Sequence, residues 1–400
     1  MDNRHSETAS LVAGKLLEIE AVLLRPSQPF TWASGWHSPI YCDNRRILSY
    51  PSLRSLVAES LADRAKELFP EGLDKTVELI KQHGYRPGIW FEIENVASEA
   101  RAYKLTEHLL KRDGVTLTSY FRRFWDLNDP WVRDYLYEKV IGTLKKYGFG
   151  YIKSDYNETI GIGVDDVDSL GEGLRRIAES SADFMRLIRK EIPDIVIENC
   201  ASGGHRLEPL MMSLCSMASF SDAHECAEIP IIAAGLHRAI HPAQSQIWAV
   251  IRQDDSIRRI VYSLSATFLG RLCLSGDVTD LTREQWRAIS DGLEFYKSAA
   301  HIIRDGRSVI YGEVSPSFRH PTGWQAVVRV LDKEALVVLH AFEHNEDEKI
   351  FFGIPEFSGA RGVELIRSYS EGYLSPGITG TEMEVRLNKF EGAAFLLRLI

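Results

Sequence analysis

The chain of 400 residues contains no apolar run approaching the roughly 18 residues needed to span a bilayer. Its first residues, Met1-Asp2-Asn3-Arg4-His5, lack the apolar stretch of a secretory signal. Cysteine is scarce: five are scattered along the chain, with no C-x-x-C pair. That speaks against a disulfide framework or a zinc ribbon and predicts a reducing, cytoplasmic setting. Positive charge is also short, with Lys+Arg 47 against Asp+Glu 56 and a net charge of −9. Nucleic acid and anionic membranes are therefore not expected partners. A dinucleotide fingerprint is missing, because Gly161-Ile162-Gly163 runs into Asp165-Asp166, whose carboxylates would repel phosphate. No internal repeat or low-complexity tract is present. What remains is ample for folding: 44% hydrophobic against 26% charged residues supports a real core. The length predicts two or three domains.

Three segments differ in pattern. Up to about residue 70, Leu11, Leu16, Leu17, Ile19 and Leu23-Leu24 predict a helix with an apolar stripe, ended by Pro26 and Pro29. The stretch Phe30 to Asp43 reads as two short strands around Ser34-Gly35, and a second helix is expected from about Ser52 to Leu68. From about Glu71 to Ala300, short apolar strands alternate with amphipathic helices. The strand candidates are Gly88 to Glu92, Gly150 to Asp155, Asp194 to Asn199 and Ala218 to Asp222. Leu174, Ile177, Ala178, Ser181, Met185 and Ile188 recur at helical spacing. Asp165, Asp166 and Asp168, followed by Ser169 and Glu172, read as the capped start of that helix. Strand, polar tip, then helix is the order of a parallel α/β barrel, with its chemistry at the carboxyl ends of the strands. From about Ser308 the pattern becomes alternating strands and turns, such as Trp324 to Val330, Ala335 to His340 and Ala393 to Arg398. These predict a small β-sandwich.

Asp155 and Asp222 end two of the barrel strands and could project into one mouth. Two carboxylates facing a common pocket are the minimum equipment of a glycosidase. Taken singly, an Asp after a strand is more often a helix cap. Lys153 shares a face with Asp155 because strand side chains alternate, and a cation there favours the ionised carboxylate; a structural ion pair explains it equally well. Cys200-Ala201-Ser202-Gly203-Gly204-His205-Arg206 ends a strand in a glycine pair that lets backbone approach a ligand. It lacks the lysine and spacing of a phosphate loop. Neither Cys200 with His205 nor His224-Glu225-Cys226 shows a complete ligand spacing, so no metal and no cofactor are expected. Trp90, Trp125 and Trp131 are more often core residues than sugar platforms.

Several motifs in order resemble glycoside hydrolase family 36, the bacterial α-galactosidases. They are Phe69 to Leu73, Pro87 to Glu94, Trp125-Asp126-Leu127, Tyr151 to Asn157, Glu198 to Arg206, Ser221-Asp222 and Leu269 to Asp277. The resemblance covers roughly residues 70 to 400. It implies a (β/α)8 TIM-type barrel with a C-terminal β-sandwich, and retaining hydrolysis of α-galactoside oligosaccharides. By position it makes Asp155 the nucleophile and Asp222 the acid/base, with Trp90, Lys153, Cys200, Gly203 and Arg206 in the sugar pocket. Ser154 departs from the family, which commonly has Trp there.

The amino-terminal stretch, Phe30 to Arg45, resembles instead the orotate-contacting segment of orotate phosphoribosyltransferase, with His37 where that family usually has Lys. The transferase's phosphate loop is missing from the chain. In family 36 the Gly88 to Glu94 motif resembles the third barrel strand, and no Asp-Asp-Gly-Trp precedes it here. The combined resemblances imply a fusion joined near Phe69-Pro70. A transferase-like fragment (1–69) would precede barrel strands 3 to 8 (70–305) and the sandwich (306–400). The expected barrel therefore lacks its first two strands. The leading expectation is an α-galactosidase-like hydrolase; the alternatives are a sugar-binding or inactive remnant of the fused gene and, third, the transferase. Assembly as a homo-oligomer is left open.

Overall fold

The computed structural model describes residues 3–31, 37–38, 40–42, 50, 52–53, 55–57, 60, 72–222, 227–314, 320–343, 349–354, 363–372 and 374–400. The chain forms two compact units, Met1–Tyr85 and Arg86–Ile400.

In the smaller unit, the helix Asn3–Glu18 stops well before Pro26. Glu20 adopts a left-handed conformation (φ 55°) that breaks the helix, and the chain continues as strand Val22–Leu24. That corrects the expectation that Leu23-Leu24 extend the helical stripe: pairing with Ile40–Cys42 claims them instead. The expected hairpin forms, with Phe30 opposite Ser38 and Thr31 opposite His37. Ile19, Ala21 and Leu53 make a small core, and a helix spans Leu73–Gln82. Most of the helix expected from Ser52 to Leu68, together with the Phe69-Pro70 junction, lies outside the described residues.

The larger unit begins with a curled parallel sheet, a half-barrel of six strands in sequence order. They are β1 (Gly88–Phe91), β2 (Tyr151–Asp155), β3 (Val196–Cys200), β4 (Met217–Ser219), β5 (Ser245–Ile251) and β6 (Arg271–Gly276). Among the described residues β1 and β6 each pair on one side only. Between β1 and β2 the chain leaves the sheet for an antiparallel trio, Asn95–Ala97, Thr118–Ser119 and Arg122–Phe124. Helix α1 (Leu170–Glu191) buries Ile177, Met185 and Ile188, with Ile177 packed against Phe124 and Val164. Its start is the expected cap, Ser169 accepting from the Glu172 N–H at 3.1 Å. Helices α2 (Ile257–Thr267) and α3 (Arg283–Asp305) follow β5 and β6.

The carboxyl-terminal strands form two antiparallel sheets. The larger contains β7 (Arg307–Val314), β8 (Gly323–Leu331), β9 (Glu334–Ala341), β11 (Val363–Ser370) and β14 (Gly392–Leu399). The smaller contains β10 (Ile350–Gly353), β12 (Gly377–Thr379) and β13 (Glu382–Val385). One face of the larger sheet packs Ala326, Val337 and Phe395 against Phe352 and Met383 of the smaller, giving the expected sandwich. Its other face packs Val327, Leu336 and Leu396 against α2, α3 and β5, so barrel and sandwich share a core.

Candidate active site

Parallel register assembles the site from adjacent strands. Trp90 of β1 lies beside Lys153 of β2, which lies beside Glu198 of β3; one row on, Asp155 lies beside Cys200. Residues in register on neighbouring strands share a face, so Trp90, Lys153 and Glu198 form a row under Asp155.

Asp155 is buried, with 8% of its surface exposed. One carboxylate oxygen accepts from Trp90 Nε1 at 3.1 Å and Asn157 Nδ2 at 3.0 Å. The other accepts from its neighbour Tyr156 N at 2.9 Å and, more weakly, from Ser202 N at 3.4 Å. Burial pushes the Asp155 carboxyl up, but bonds from Asn157, Trp90, Cys200 and Ser202 outweigh it and hold the group below the ordinary aspartate value. Asp155 is thus an anion at neutral pH in one fixed rotamer.

A second acid supports the first. Arg122 grips Glu92 with two bonds of 2.9 and 2.8 Å, and Asn157 Nδ2 reaches the same carboxylate at 2.7 Å. Burial opposes ionisation of Glu92, yet the Arg122 and Asn157 bonds keep it below its usual range. Asn157 therefore bridges Glu92 and Asp155.

Beneath this lies a buried polar lattice. Lys153 Nζ sits 3.1 Å from Glu198 Oε1 and 4.4 Å from the centre of the Trp248 ring. Tyr151 and Ser219 both donate to Glu198, and the Gln246 amide lies 3.0 Å from the Ser219 hydroxyl. Burial tends to discharge Lys153, but Glu198 reverses the effect and holds it protonated.

The loop after β3 joins the two acids. Ser202 (φ 46°) and Gly203 (φ 82°) are left-handed. A Cβ on Gly203 would stand 3.1 Å from both Asp222 N and Ser221 Cα. Only glycine fits that approach without strain. Asp222 itself is exposed, three residues beyond β4. The cluster His224-Glu225-Cys226 lies outside the described residues; among those described, no three His, Cys, Asp or Glu are placed to hold a metal ion.

Cys200 is buried, and its thiol is pushed up to about 12 by that burial, so it is no thiolate nucleophile. Arg206 stands apart from the Asp155 carboxylate. Its guanidinium holds Glu94 through bonds of 2.5 and 3.0 Å and lies 3.7 Å above the Tyr156 ring. Ser181 of α1 donates to the same Glu94 at 2.6 Å. Glu92, Arg122 and Asn157 were missed as site residues by sequence reasoning. The alternation in Phe91-Glu92-Ile93-Glu94 was a usable signal, but nothing in the spacing points to Arg122. Trp131 is stacked between His108 (3.9 Å) and Tyr135 (5.2 Å), so both its faces are occupied and no sugar can lie on it.

The family model described as Melibiase matches residues 55–306. Among solved structures, a family 36 α-galactosidase from Geobacillus stearothermophilus, in complex with raffinose, has TM-score 0.67 and 20% identity. It aligns with 83% of this chain and 47% of its own. The α-galactosidase from Lactobacillus brevis has TM-score 0.66 and 19% identity, over 84% of this chain and 47% of its own. At such identities the likeness shows the fold. A short amino-terminal region is 58% identical over 66 residues to orotate phosphoribosyltransferase from Enterococcus faecalis, covering 16% of this chain and 31% of that enzyme. The chain thus spans about half the length of the α-galactosidases and about a third of the Enterococcus faecalis transferase.

Proposed function

Because this chain belongs to the melibiase family, we propose that its half-barrel carries the reacting carboxylates of a retaining α-galactoside hydrolase. Asp155 attacks the anomeric carbon and the glycosidic bond breaks. Asp222 gives its proton to the departing oxygen, then takes one from the water that hydrolyses the glycosyl ester. The observation that carries this reading is Asp155 itself: an ionised carboxylate at a strand tip, fixed by four donors. Exposed Asp222 stands on the neighbouring loop. Trp90, Lys153, Cys200 and Gly203 would line the sugar, and raffinose-like oligosaccharides are the proposed substrates. Arg206 would act at one remove, by holding Glu94 and Tyr156 in place.

The test is hydrolysis of an aryl α-galactoside. Asp155→Asn should fold normally and lose at least about a thousandfold in turnover, since an amide forms no glycosyl ester. Asp155→Gly with added azide should release a β-galactosyl azide, the small anion attacking from the vacated face. Unchanged turnover in Asp155→Asn removes the assignment.

A second reading, sugar binding without turnover, is favoured by one observation: the strand ladder is open at β1 and β6 among the described residues. Unpaired edges leave part of a barrel wall unbuilt. Calorimetric binding of galactose by a wild-type chain that hydrolyses nothing would select this reading. The amino-terminal match covers less than two thirds of the transferases it resembles and supports no transferase proposal.

A further inference from the structure

At the amino ends of the barrel strands, away from the tip that carries Asp155, a cleft of about 700 Å³ separates the segment before β5 from the start of β7. Arg238, Arg307, Arg329, His237, His241 and Ser308 contribute to its walls, and no carboxylate lines it among the described residues. For a chain of net charge −9, three guanidinium groups around one cleft is a local reversal of sign. We propose that this cleft is a binding site for a phosphate group, free or carried on a small sugar.

Its floor is built rather than incidental. Arg329, 3% exposed, enters from β8 and donates to Ile302 O at 3.1 Å, Gly306 O at 2.5 Å and Ser308 Oγ at 2.6 Å. All three acceptors are neutral. Buried guanidinium groups are ordinarily paired with a carboxylate. The Asp305 carboxylate is instead taken by Arg304, through bonds of 3.0, 3.0 and 2.7 Å. Burial holds Arg329 down at about 10, with Asp305 only partly opposing. The carbonyls it does hold belong to the end of α3, whose dipole offsets part of its charge.

Ser308 is fixed from both sides. His237 Nε2 lies 2.6 Å from the Leu269 carbonyl, so that nitrogen carries the proton and Nδ1 is left as an acceptor. The Ser308 hydroxyl then donates to His237 Nδ1 at 2.9 Å while accepting from Arg329. Burial keeps His237 neutral, at about 4, so it neither adds charge nor serves as a useful base. The pair positions; it does not react. Arg238 and Arg307 are exposed at the rim and form no ion pair among the described residues. An oxyanion between them would meet the planar, multi-donor geometry that guanidinium groups offer phosphate.

The site shares no residue with the Asp155 network, and binding can be read without hydrolysis, so the two proposals fail separately. The experiment is calorimetry on the full chain with inorganic phosphate, a hexose 1-phosphate and the parent hexose, at ionic strength matched with sodium chloride. Both phosphates should bind and the hexose should leave this site empty. A hexose phosphate binding at least tenfold tighter than inorganic phosphate identifies the sugar ester as the ligand; equal affinity identifies the free ion. The exposed pair Arg238→Ala/Arg307→Ala should weaken phosphate binding at least tenfold, the loss of about one charge-assisted hydrogen bond. Asp155→Asn should leave it unchanged. Absence of phosphate binding at millimolar concentration, or undiminished binding by the double variant, overturns the proposal.

Discussion

Along β9 and β14 of the sandwich, residues Ala335 to Ala341 and Gly392 to Leu397 are buried without interruption, because the sheet is covered on both faces, and His340 is the one polar side chain among them. Along β2 and β3 of the half-barrel the burial is nearly as complete, yet Lys153, Asp155, Glu198 and Asn199 interrupt the apolar run. The sandwich strands are stabilised by apolar area, the barrel strands by mutual satisfaction of charge. Removal of a side chain should therefore have different consequences in the two places. In the sandwich it leaves a cavity; at the barrel mouth it leaves an unpaired charge or a shifted proton.

The largest stability effect is expected at Phe395, fully buried between the sheets. Phe395→Ala should cost about 3–5 kcal/mol, read as a lower urea midpoint with no change in galactoside binding. Next comes Arg206→Met, which strands the buried Glu94 carboxylate. A loss of about 3 kcal/mol is expected. A large rise in KM at unchanged stability would instead make Arg206 a direct sugar contact. Gly203→Ala should cost about 1–2 kcal/mol, because an alanine is strained at φ 82°. It should also lower kcat, since the Ser221 and Asp222 backbone must give way; normal stability and rate together would show that the close approach is dispensable. The subtlest effect is on pH. Donors hold Asp155 below the usual aspartate value, so it should support stability, and under the proposed mechanism activity, at neutral pH, with both lost as pH falls through that lowered pKa. Trp90→Phe removes one donor and should move the acid limb of kcat/KM upward. A limb that stays put would mean that Trp90 contributes no stabilisation to the anion.

Legibility in the sequence followed sequence range. The apolar runs at Gly88, Tyr151, Val196 and Ala218 gave four barrel strands, the fourth ending at Ser219 rather than at Asp222, and the alternation after Ser308 gave the sandwich. Ser169 announced a helix start because capping is local. β5 and β6 were not drawn as strands from pattern. Ser245 to Ile251 alternates weakly, since both its faces are packed, and Arg271 to Gly276 has no fully buried position, so no core face shows in its pattern. Leu23-Leu24 misled because a doublet fits either period, and only pairing with Ile40–Cys42 decides. Asp155 at its strand tip was visible, and so was Asp222, which stands on the loop after β4 instead of ending the strand, but what ionises Asp155 was not. Arg122 comes from an excursion 30 residues beyond Glu92, and no spacing rule connects them.

One further consequence lies in the Gly203 contact. With no side chain between them, the loop after β3 and the loop bearing Asp222 touch backbone to backbone, while Ser202 N holds Asp155 from the other side. The two acids thus stand on loops in close contact, and a displacement of either loop should be passed to the other through the peptide planes. The proposed proton donor and nucleophile would then keep their spacing while the mouth breathes, and exchange broadening of the Ser202, Gly203 and Asp222 amide signals should report one common rate.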